Sequence, residues 1–87
     1  MVKYKYKIEV KRSAVKELNK IPRKDLKRIV KRIEALAYDP RPLESVKLSA
    51  DEKYRIRQGN YRILYSIHDD ILTIHVVKIA HRKDVYK

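Results

Sequence analysis

The clearest structural pattern in the sequence is YRIRQGNYRILYS, residues 54–66. On both sides of its Gly-Asn pair, apolar residues alternate with polar ones, which is the period of a β-strand with one buried face. Gly59 is the only glycine of the chain, and a glycine at the first central position favours a two-residue hairpin turn. The pattern therefore predicts a β-hairpin that turns at Gly59 and Asn60.

A two-residue turn determines which residues of the hairpin face each other. Ile56 then lies opposite Ile63, and Tyr54 lies opposite Tyr65, so that one face of the hairpin is apolar. A shift of the register by one residue would bury the arginines in place of this set. We therefore expect the apolar face to lie under the rest of the fold.

The same register gives the hairpin an arginine face. It places Arg57 directly across from Arg62, and Arg55 across from Leu64. Like charges that face each other destabilise a sheet by a few tenths of a kcal/mol up to about 1 kcal/mol. The arginines are therefore candidates for a binding function; the alternative is an ordinary solvated surface in a protein that is basic throughout.

The residues before the hairpin predict one strand and two helices. Residues 3–10 alternate charged with apolar side chains, as a half-buried strand does. Ser13 is the expected N-cap of a short helix, and Pro22 falls in the first turn of a second helix. The apolar stripe of the second helix has three-and-four spacing and consists of Leu26, Ile29, Val30, Ile33 and Ala37.

The second half of the chain is interpreted as a connection followed by three strands. Residues 43–51 lack a clear period and are expected to be a surface connection. The three strands are expected over about 53–58, 61–68 and 71–79. The order β-α-α-β-β-β predicts a single α+β domain over residues 1–87, with an antiparallel sheet and a helical hairpin packed on one face. The other face of the sheet is left open.

The last strand extends both faces of the hairpin. With a turn at Asp69 and Asp70, we expect the covered face to gain Leu72, Ile74 and Val76, and the open face to gain Thr73, His75 and Val77. The chain then runs into HRKDVY, residues 81–86. This segment is expected to bring His81, Arg82 and Tyr86 to one end of the open face. The sequence thus predicts a cationic concavity with an imidazole and a phenol beside it.

Composition indicates a polyanionic partner and excludes several kinds of site. Lys and Arg number 23 against 11 Asp and Glu, and the formal net charge of +12 favours binding to nucleic acid. The absence of cysteine excludes disulfides, thiolate zinc sites and cysteine nucleophiles. The three histidines lack metal-ligand spacing, and a single glycine excludes a Gly-rich phosphate loop, so we expect no metal or cofactor. No apolar run approaches the roughly 18 residues of a membrane helix, and we expect a soluble intracellular protein.

These groups are suited to one reaction in particular. One arginine guanidinium can bind two phosphate oxygens at once, and aromatic rings stack on unpaired bases. The 2′-hydroxyl of RNA is a nucleophile that the substrate itself supplies. Clustered guanidinium groups stabilise the negative charge that develops on a pentacovalent phosphorus. The chemistry suggested is cleavage of single-stranded RNA to a cyclic phosphate end.

At YRIRQGNYRILYS and HRKDVY the sequence resembles the RelE toxins of the RelE/ParE superfamily, and the order of elements extends the resemblance over nearly the whole chain. The hairpin is similar to the superfamily as a whole, whereas the terminal arginine and tyrosine resemble its ribonuclease branch. The resemblance implies a type II toxin that enters the ribosomal A site and cuts the bound messenger RNA. It also implies a cytoplasmic protein held inactive by a RelB-like antitoxin, with operator DNA contacted only through the antitoxin complex.

The resemblance also implies roles for individual residues. Arg62, Arg82 and Tyr86 match the positions for phosphate binding, transition-state stabilisation, and base stacking or proton transfer. Arg55 and Arg57 match positions where well-known members carry lysines that help to activate the nucleophile. Because arginine stays protonated, it is a poor general base, and the residues left as candidates for proton transfer are His81 and Tyr86. The residues expected to bind the substrate are Arg57, Arg62, His81 and Arg82.

Two other functions remain open at the level of sequence. Toxins of the ParE branch share the hairpin but act as non-enzymatic inhibitors of DNA gyrase, and they generally lack the terminal arginine and tyrosine. A degenerate paralogue that binds only its antitoxin and operator DNA would show the same pattern. Arg82 and Tyr86 are therefore the residues that favour the ribonuclease.

Overall fold

The computed structural model describes residues 5–49 and 52–82. In these ranges the chain forms two α-helices, five strands and one short 3₁₀ turn. Their bounds are β1 Lys7–Val10, α1 Arg12–Leu18, α2 Arg23–Leu36, β2 Val46–Ser49, β3 Lys53–Gln58, β4 Tyr61–His68, the 3₁₀ turn Asp69–Ile71 and β5 Thr73–His81. The predicted α+β class, with two helices followed by an antiparallel series of strands, is confirmed.

The five strands form one sheet in the order β1-β5-β4-β3-β2. Three of the pairings are antiparallel, as predicted, but β1 pairs with β5 in parallel. The expectation of an antiparallel sheet was therefore wrong at this edge. Parallel neighbours need a long connection between them, and here both helices and three strands separate β1 from β5 in sequence.

The segment interpreted as a surface connection contains a strand. Within the predicted connection 43–51, β2 pairs antiparallel with β3, with Val46 opposite Arg55 and Lys47 opposite Tyr54. This strand was missed because it has only four residues. It also lies at the sheet edge, where Val46 and Leu48 stay 45% and 44% exposed, so its apolar pattern does not mark a buried face.

The core lies between the helices and the covered face of the sheet. Its buried members are Ala14, Ile29, Ile33, Leu36, Tyr54, Ile56, Ile63, Tyr65, Ile67, Ile74, Val76 and Ile79. Full burial of one such aliphatic side chain stabilises the fold by about 1.5–3 kcal/mol. The predicted apolar stripe is confirmed at Ile29, Ile33 and Ala37, whereas Val30 is 39% exposed. Leu36, which the prediction left out, is buried.

The helix starts differ slightly from the sequence expectation. α1 begins at Arg12, its N-cap is Lys11, and no side chain caps it, so Ser13 lies inside the first turn. Pro22 is the N-cap of α2 and immediately precedes its first residue. At that position the missing N–H of proline leaves no helical hydrogen bond unmade.

The β3–β4 hairpin has the predicted register. Ile56 pairs with Ile63, Tyr54 with Tyr65, and Arg57 lies across from Arg62. Gly59 has a φ of 59°, which is in the region that glycine adopts without steric strain. The turn residue therefore fixes the arrangement of the arginines, as the sequence indicates.

The β4–β5 hairpin has a longer turn than predicted. The 3₁₀ turn is followed by Leu72 with a φ of 46°, so Leu72 is a turn residue and does not join the covered face. Ile74 pairs with Ile67, two positions from the expected register. Further along, Tyr65 pairs with Val76 but Leu64 pairs with Lys78. Val77 is thus the extra residue of a β-bulge.

Candidate functional site: an arginine cavity at the end of the open sheet face

The bulge at Val77 decides which side chains the end of β5 presents to the open face. Successive residues of a strand point to opposite faces, and one extra residue exchanges the faces of everything that follows. Val76 is buried before the bulge and Ile79 is buried after it, so that both can pack under the helices. Beyond the bulge it is Ala80 that pairs with Arg62, and Arg82 follows on the same face.

Three of the predicted arginines meet in one cavity. Arg57 from β3, Arg62 from β4 and Arg82 beyond β5 line a space of about 210 Å³, together with the hairpin turn and Tyr61. The backbone N–H of Arg82 donates to the carbonyl oxygen of Asn60 at 2.7 Å, which pins the end of β5 to the turn. We call this site the arginine cavity.

The three arginines differ in how firmly they are held. Arg62 is only 6% exposed, so its side chain is fixed by packing, while Arg57 and Arg82 are exposed. None of the residues that line the cavity in the described part of the chain is acidic. The arrangement combines one fixed cation with two that can adjust to a ligand, which suits an anion with several oxygens.

The set of predicted catalytic residues is completed by Arg55 and Tyr86. Arg55 lies on the open face, half-buried between Val46 of β2 and Leu64 of β4, and does not line the cavity. Tyr86 lies outside the described residues. The structure therefore groups three of the four predicted arginines.

His81 was expected on the open face, and this placement was wrong. It pairs with Tyr61, and the two rings make an edge-to-face contact with their centres 5.1 Å apart. His81 lines a different cavity, together with residues of α1. The reason is the bulge: without it the odd-numbered residues of β5 would continue on the open face, and His81 would take the position that Arg82 occupies.

A second charged cluster, which the sequence pattern does not predict, lies at the opposite end of the β3–β4 hairpin. The Arg41 guanidinium donates to Asp69 at 2.8 Å, to the Tyr54 hydroxyl at 3.0 Å and to Glu52. The Tyr6 hydroxyl also donates to Asp69, at 2.6 Å. This Arg41 cluster joins the connection after α2 to the start of β3 and to the β4–β5 turn. Its members are far apart in sequence, and no local pattern marks them.

The ion pairs of the Arg41 cluster change the acidity of its members. The Lys47 ammonium, at 2.9 Å, and the Arg41 guanidinium stabilise the charged Glu52 carboxylate and lower its pKa to about 2. Hydrogen bonds from Arg41 and Tyr6 lower the pKa of Asp69, and the bond to this carboxylate raises the pKa of Tyr6. The cluster is internally neutralised, which is typical of a structural role.

Metal-binding and membrane-spanning features are absent from residues 5–49 and 52–82. No group of three or more His, Cys, Asp or Glu side chains is placed there to hold a metal ion. The helices described are too short or too polar to cross a membrane.

A helical hairpin on one sheet face and an arginine cavity on the other define a small basic α+β domain. Residues 8–86 match the family model described as ParE toxin of type II toxin-antitoxin system, parDE. The putative toxin RelE1 of Methanocaldococcus jannaschii is 32% identical to this chain over 87 residues, which cover 95% of this chain and 97% of RelE1. The toxin RelG of Mycobacterium tuberculosis is 27% identical over 84 residues, with 94% and 97% covered.

The fold is similar to that of a solved relative. In the crystal structure of the archaeal RelE-RelB complex from Pyrococcus horikoshii, one chain superposes with a TM-score of 0.79 at 27% identity, covering 90% of this chain and 96% of that one. The present chain belongs to the RelE/ParE family of type II toxins.

Proposed function

We propose that this toxin is a ribosome-dependent messenger-RNA endoribonuclease that cleaves in the A site and so inhibits translation. The observation that supports this proposal is the arginine cavity, in which cations from β3, β4 and the end of β5 lie together without an acidic side chain among the described lining residues. Such a cavity suits a phosphodiester that gains negative charge during reaction.

The proposed reaction needs no protein nucleophile. The 2′-oxygen of the RNA attacks the adjacent phosphorus and loses its proton, and the 5′-oxygen of the next nucleotide leaves and takes up a proton. The products are a 2′,3′-cyclic phosphate and a 5′-hydroxyl end. No metal or cofactor enters the scheme.

The arginines take different roles in this scheme. Arg62, which is held by packing, binds the phosphate in the ground state. Arg82 and Arg57, which are exposed, stabilise the charge of the transition state. Arg55 contributes through the general positive potential of the open face, and Tyr86 is proposed for base stacking or proton transfer. His81 is not assigned to proton transfer, because it lies on the helix side.

The ribosome would supply orientation and a large part of the affinity. A near-attack alignment of the 2′-oxygen, the phosphorus and the leaving oxygen accelerates the reaction strongly, and the A site can hold the RNA in that geometry. Basic side chains on the outer faces of the helices would be attracted to ribosomal RNA. They are Lys16, Lys20, Lys24, Lys27, Arg28 and Lys31, all of which are exposed.

The proposed regulator is a RelB-like antitoxin. The relative from Pyrococcus horikoshii was solved as a RelE-RelB complex. A toxin with a net charge of +12 would bind nucleic acids indiscriminately unless it were neutralised, so we expect an acidic partner that covers or distorts the arginine cavity. Contact with operator DNA would be made through that complex.

The matching family model is described as a ParE toxin, and inhibition of DNA gyrase without catalysis is therefore the second candidate. One experiment separates the two functions. The protein is added to a cell-free translation system, 5′ ends of the messenger RNA are mapped, and gyrase supercoiling is measured in parallel. New ends within translated codons support the nuclease; intact message with inhibited supercoiling supports the gyrase inhibitor. If neither activity is found, the degenerate paralogue is the better interpretation.

A further inference from the structure

A second cavity lies on the helix side of the same sheet end. It has a volume of about 280 Å³ and is lined by Glu17, Lys20, Ile21, Tyr61, Ile79 and His81. Tyr61 lines both this cavity and the arginine cavity. His81 and Arg82, which face the two cavities, are consecutive in sequence. A flexible ligand that passes around the sheet end would therefore contact both.

The second cavity has an aromatic wall. Tyr61 and His81 are both half-buried, and their rings meet edge to face at 87°. An aromatic wall can stack on the flat face of a nucleobase, and this stacking depends little on which base it is. Beside this wall the cavity is lined by the apolar side chains of Ile21 and Ile79 and by Lys20.

The second cavity also has a fixed acceptor. Glu17 receives the backbone N–H of Ile79 at 3.0 Å on one carboxylate oxygen and the Lys78 ammonium at 3.3 Å on the other. The two oxygens of a carboxylate offer about four lone-pair sites, so acceptor capacity is left for a ligand. The Glu17 side chain is 30% exposed. The free acceptor sites of this carboxylate attract N–H donors.

We propose that this cavity is a base pocket, which binds the nucleobase next to the phosphate held in the arginine cavity and selects bases that carry an amino group. Cytosine, adenine and guanine have an exocyclic amino group that can donate to Glu17. Uracil has a carbonyl group where cytosine has the amino group, and that oxygen faces the carboxylate unfavourably. Glu17 is thus a specificity-determining residue. The inference rests on the proposed function, because it assumes an RNA substrate.

The test compares two ligands that differ by this one group. Short 2′-O-methylated oligocytidine and oligouridine of equal length carry the same charge and cannot be cleaved by 2′-oxygen attack. Their binding to the free toxin is followed by NMR at one salt concentration, through the backbone amide of Ile79 and the ring of His81. We expect oligocytidine to bind at least about fivefold more tightly, with both signals shifted.

Two variants locate the origin of the preference. Glu17→Gln keeps an oxygen for the Ile79 amide but replaces the other oxygen with a donor, so the preference for cytosine should disappear or reverse. Lys78→Met is the matched control: it removes the other partner of Glu17, leaves the carboxylate in place, and should keep the preference while overall affinity falls.

Equal binding of the two oligonucleotides by the wild-type protein, or unchanged Ile79 and His81 signals, would overturn the base pocket, and neither result depends on a variant that might not fold. The same holds if Glu17→Gln retains the preference. If the preference is found but ribosomes programmed with messenger RNA show no cleavage, the proposed function fails and the base pocket stands.

Discussion

The two ends of the β3–β4 hairpin carry charge in opposite ways. At the turn end, Arg57 and Arg62 face each other and Arg82 joins them in a cavity whose described lining residues include no acidic side chain. At the other end, Arg41 contacts both Glu52 and Asp69. The same residue type thus lines a cationic cavity in one region and is neutralised by carboxylates in the other.

The difference indicates which arginines are structural and which are suited to a ligand. Exposed ion pairs contribute little one by one, but a connected group can fix the position of loops, and the Arg41 cluster holds two connections against the sheet. Facing like charges destabilise a sheet. An anion that binds in the arginine cavity would offset this cost, so the arginines there are suited to a ligand.

The largest expected effect is the loss of cleavage on removal of Arg82. Arg82→Met should lower the single-turnover rate on programmed ribosomes by about a hundred- to a thousandfold, since that is the effect of removing one preorganised donor to a developing anion. Arg41→Met, which removes an arginine from the neutralised end, is the control and should leave the rate of the folded protein nearly unchanged. Similar rates for the two variants would remove the functional distinction between the ends.

Arg62 is both buried and part of the arginine cavity, so its replacement should affect stability as well as cleavage. Arg62→Ala should abolish cleavage and also destabilise the fold by about 1–3 kcal/mol, because the packed stem is lost. Relief of repulsion from Arg57 offsets a few tenths of a kcal/mol up to about 1 kcal/mol of this loss. Arg62→Met keeps the stem and should lose cleavage while lowering the melting temperature less than Arg62→Ala does. A normally stable Arg62→Ala variant would show that packing around this arginine is unimportant.

Arg57 and Arg55 form a matched pair two residues apart on β3. Only Arg57 of this pair lines the cavity. We expect Arg57→Met to slow single-turnover cleavage by about tenfold or more, and Arg55→Met by less than about threefold, because Arg55 acts only through the general potential. Equal losses in the same assay would mean that the substrate covers more of the open face than the cavity.

The smallest expected effect is on acid stability. The pKa of Glu52 is lowered to about 2 and that of Asp69 is also lowered, so their contribution to stability is present at neutral pH and is lost as pH falls through the folded-state pKa values. The melting temperature should therefore decrease below about pH 5, where these carboxylates begin to bind protons on unfolding. Arg41→Met should lower the melting temperature at pH 7 and flatten this decrease. If the melting temperatures of the wild-type protein and of Arg41→Met fall in parallel with pH, Arg41 does not lower the pKa values of these carboxylates.

The part of the site that the sequence predicts is the part set by local chemistry. Gly59 fixes the turn, and the turn places Arg57 across from Arg62. The position of Arg82 depends on the bulge at Val77, which arises because Val76 and Ile79 must both reach the core. The need to bury both residues is apparent only in the packed structure. A prediction from regular alternation along β5 therefore placed His81 on the wrong face.

Two other features, β2 and the Arg41 cluster, could not be predicted from the sequence for a related reason. β2 is too short to show a period and is specified by pairing with β3. The Arg41 cluster joins residues 11 and 28 positions apart from Arg41, which only the assembled sheet brings together. In both cases the determining contacts are long-range.

The chemistry of the RNA ends produced on ribosomes distinguishes attack by the 2′-oxygen from other modes of cleavage. Messenger RNA with a single 2′-deoxy substitution at the mapped cleavage position is compared with unsubstituted RNA, using wild-type toxin and the Arg82→Met variant. We predict 2′,3′-cyclic phosphate and 5′-hydroxyl ends from wild-type toxin on unsubstituted RNA, no cleavage at the deoxy position, and a severe loss with Arg82→Met. Cleavage at the deoxy position would exclude the 2′-oxygen as the nucleophile, and undiminished cleavage by Arg82→Met would exclude the arginine cavity as the catalytic site.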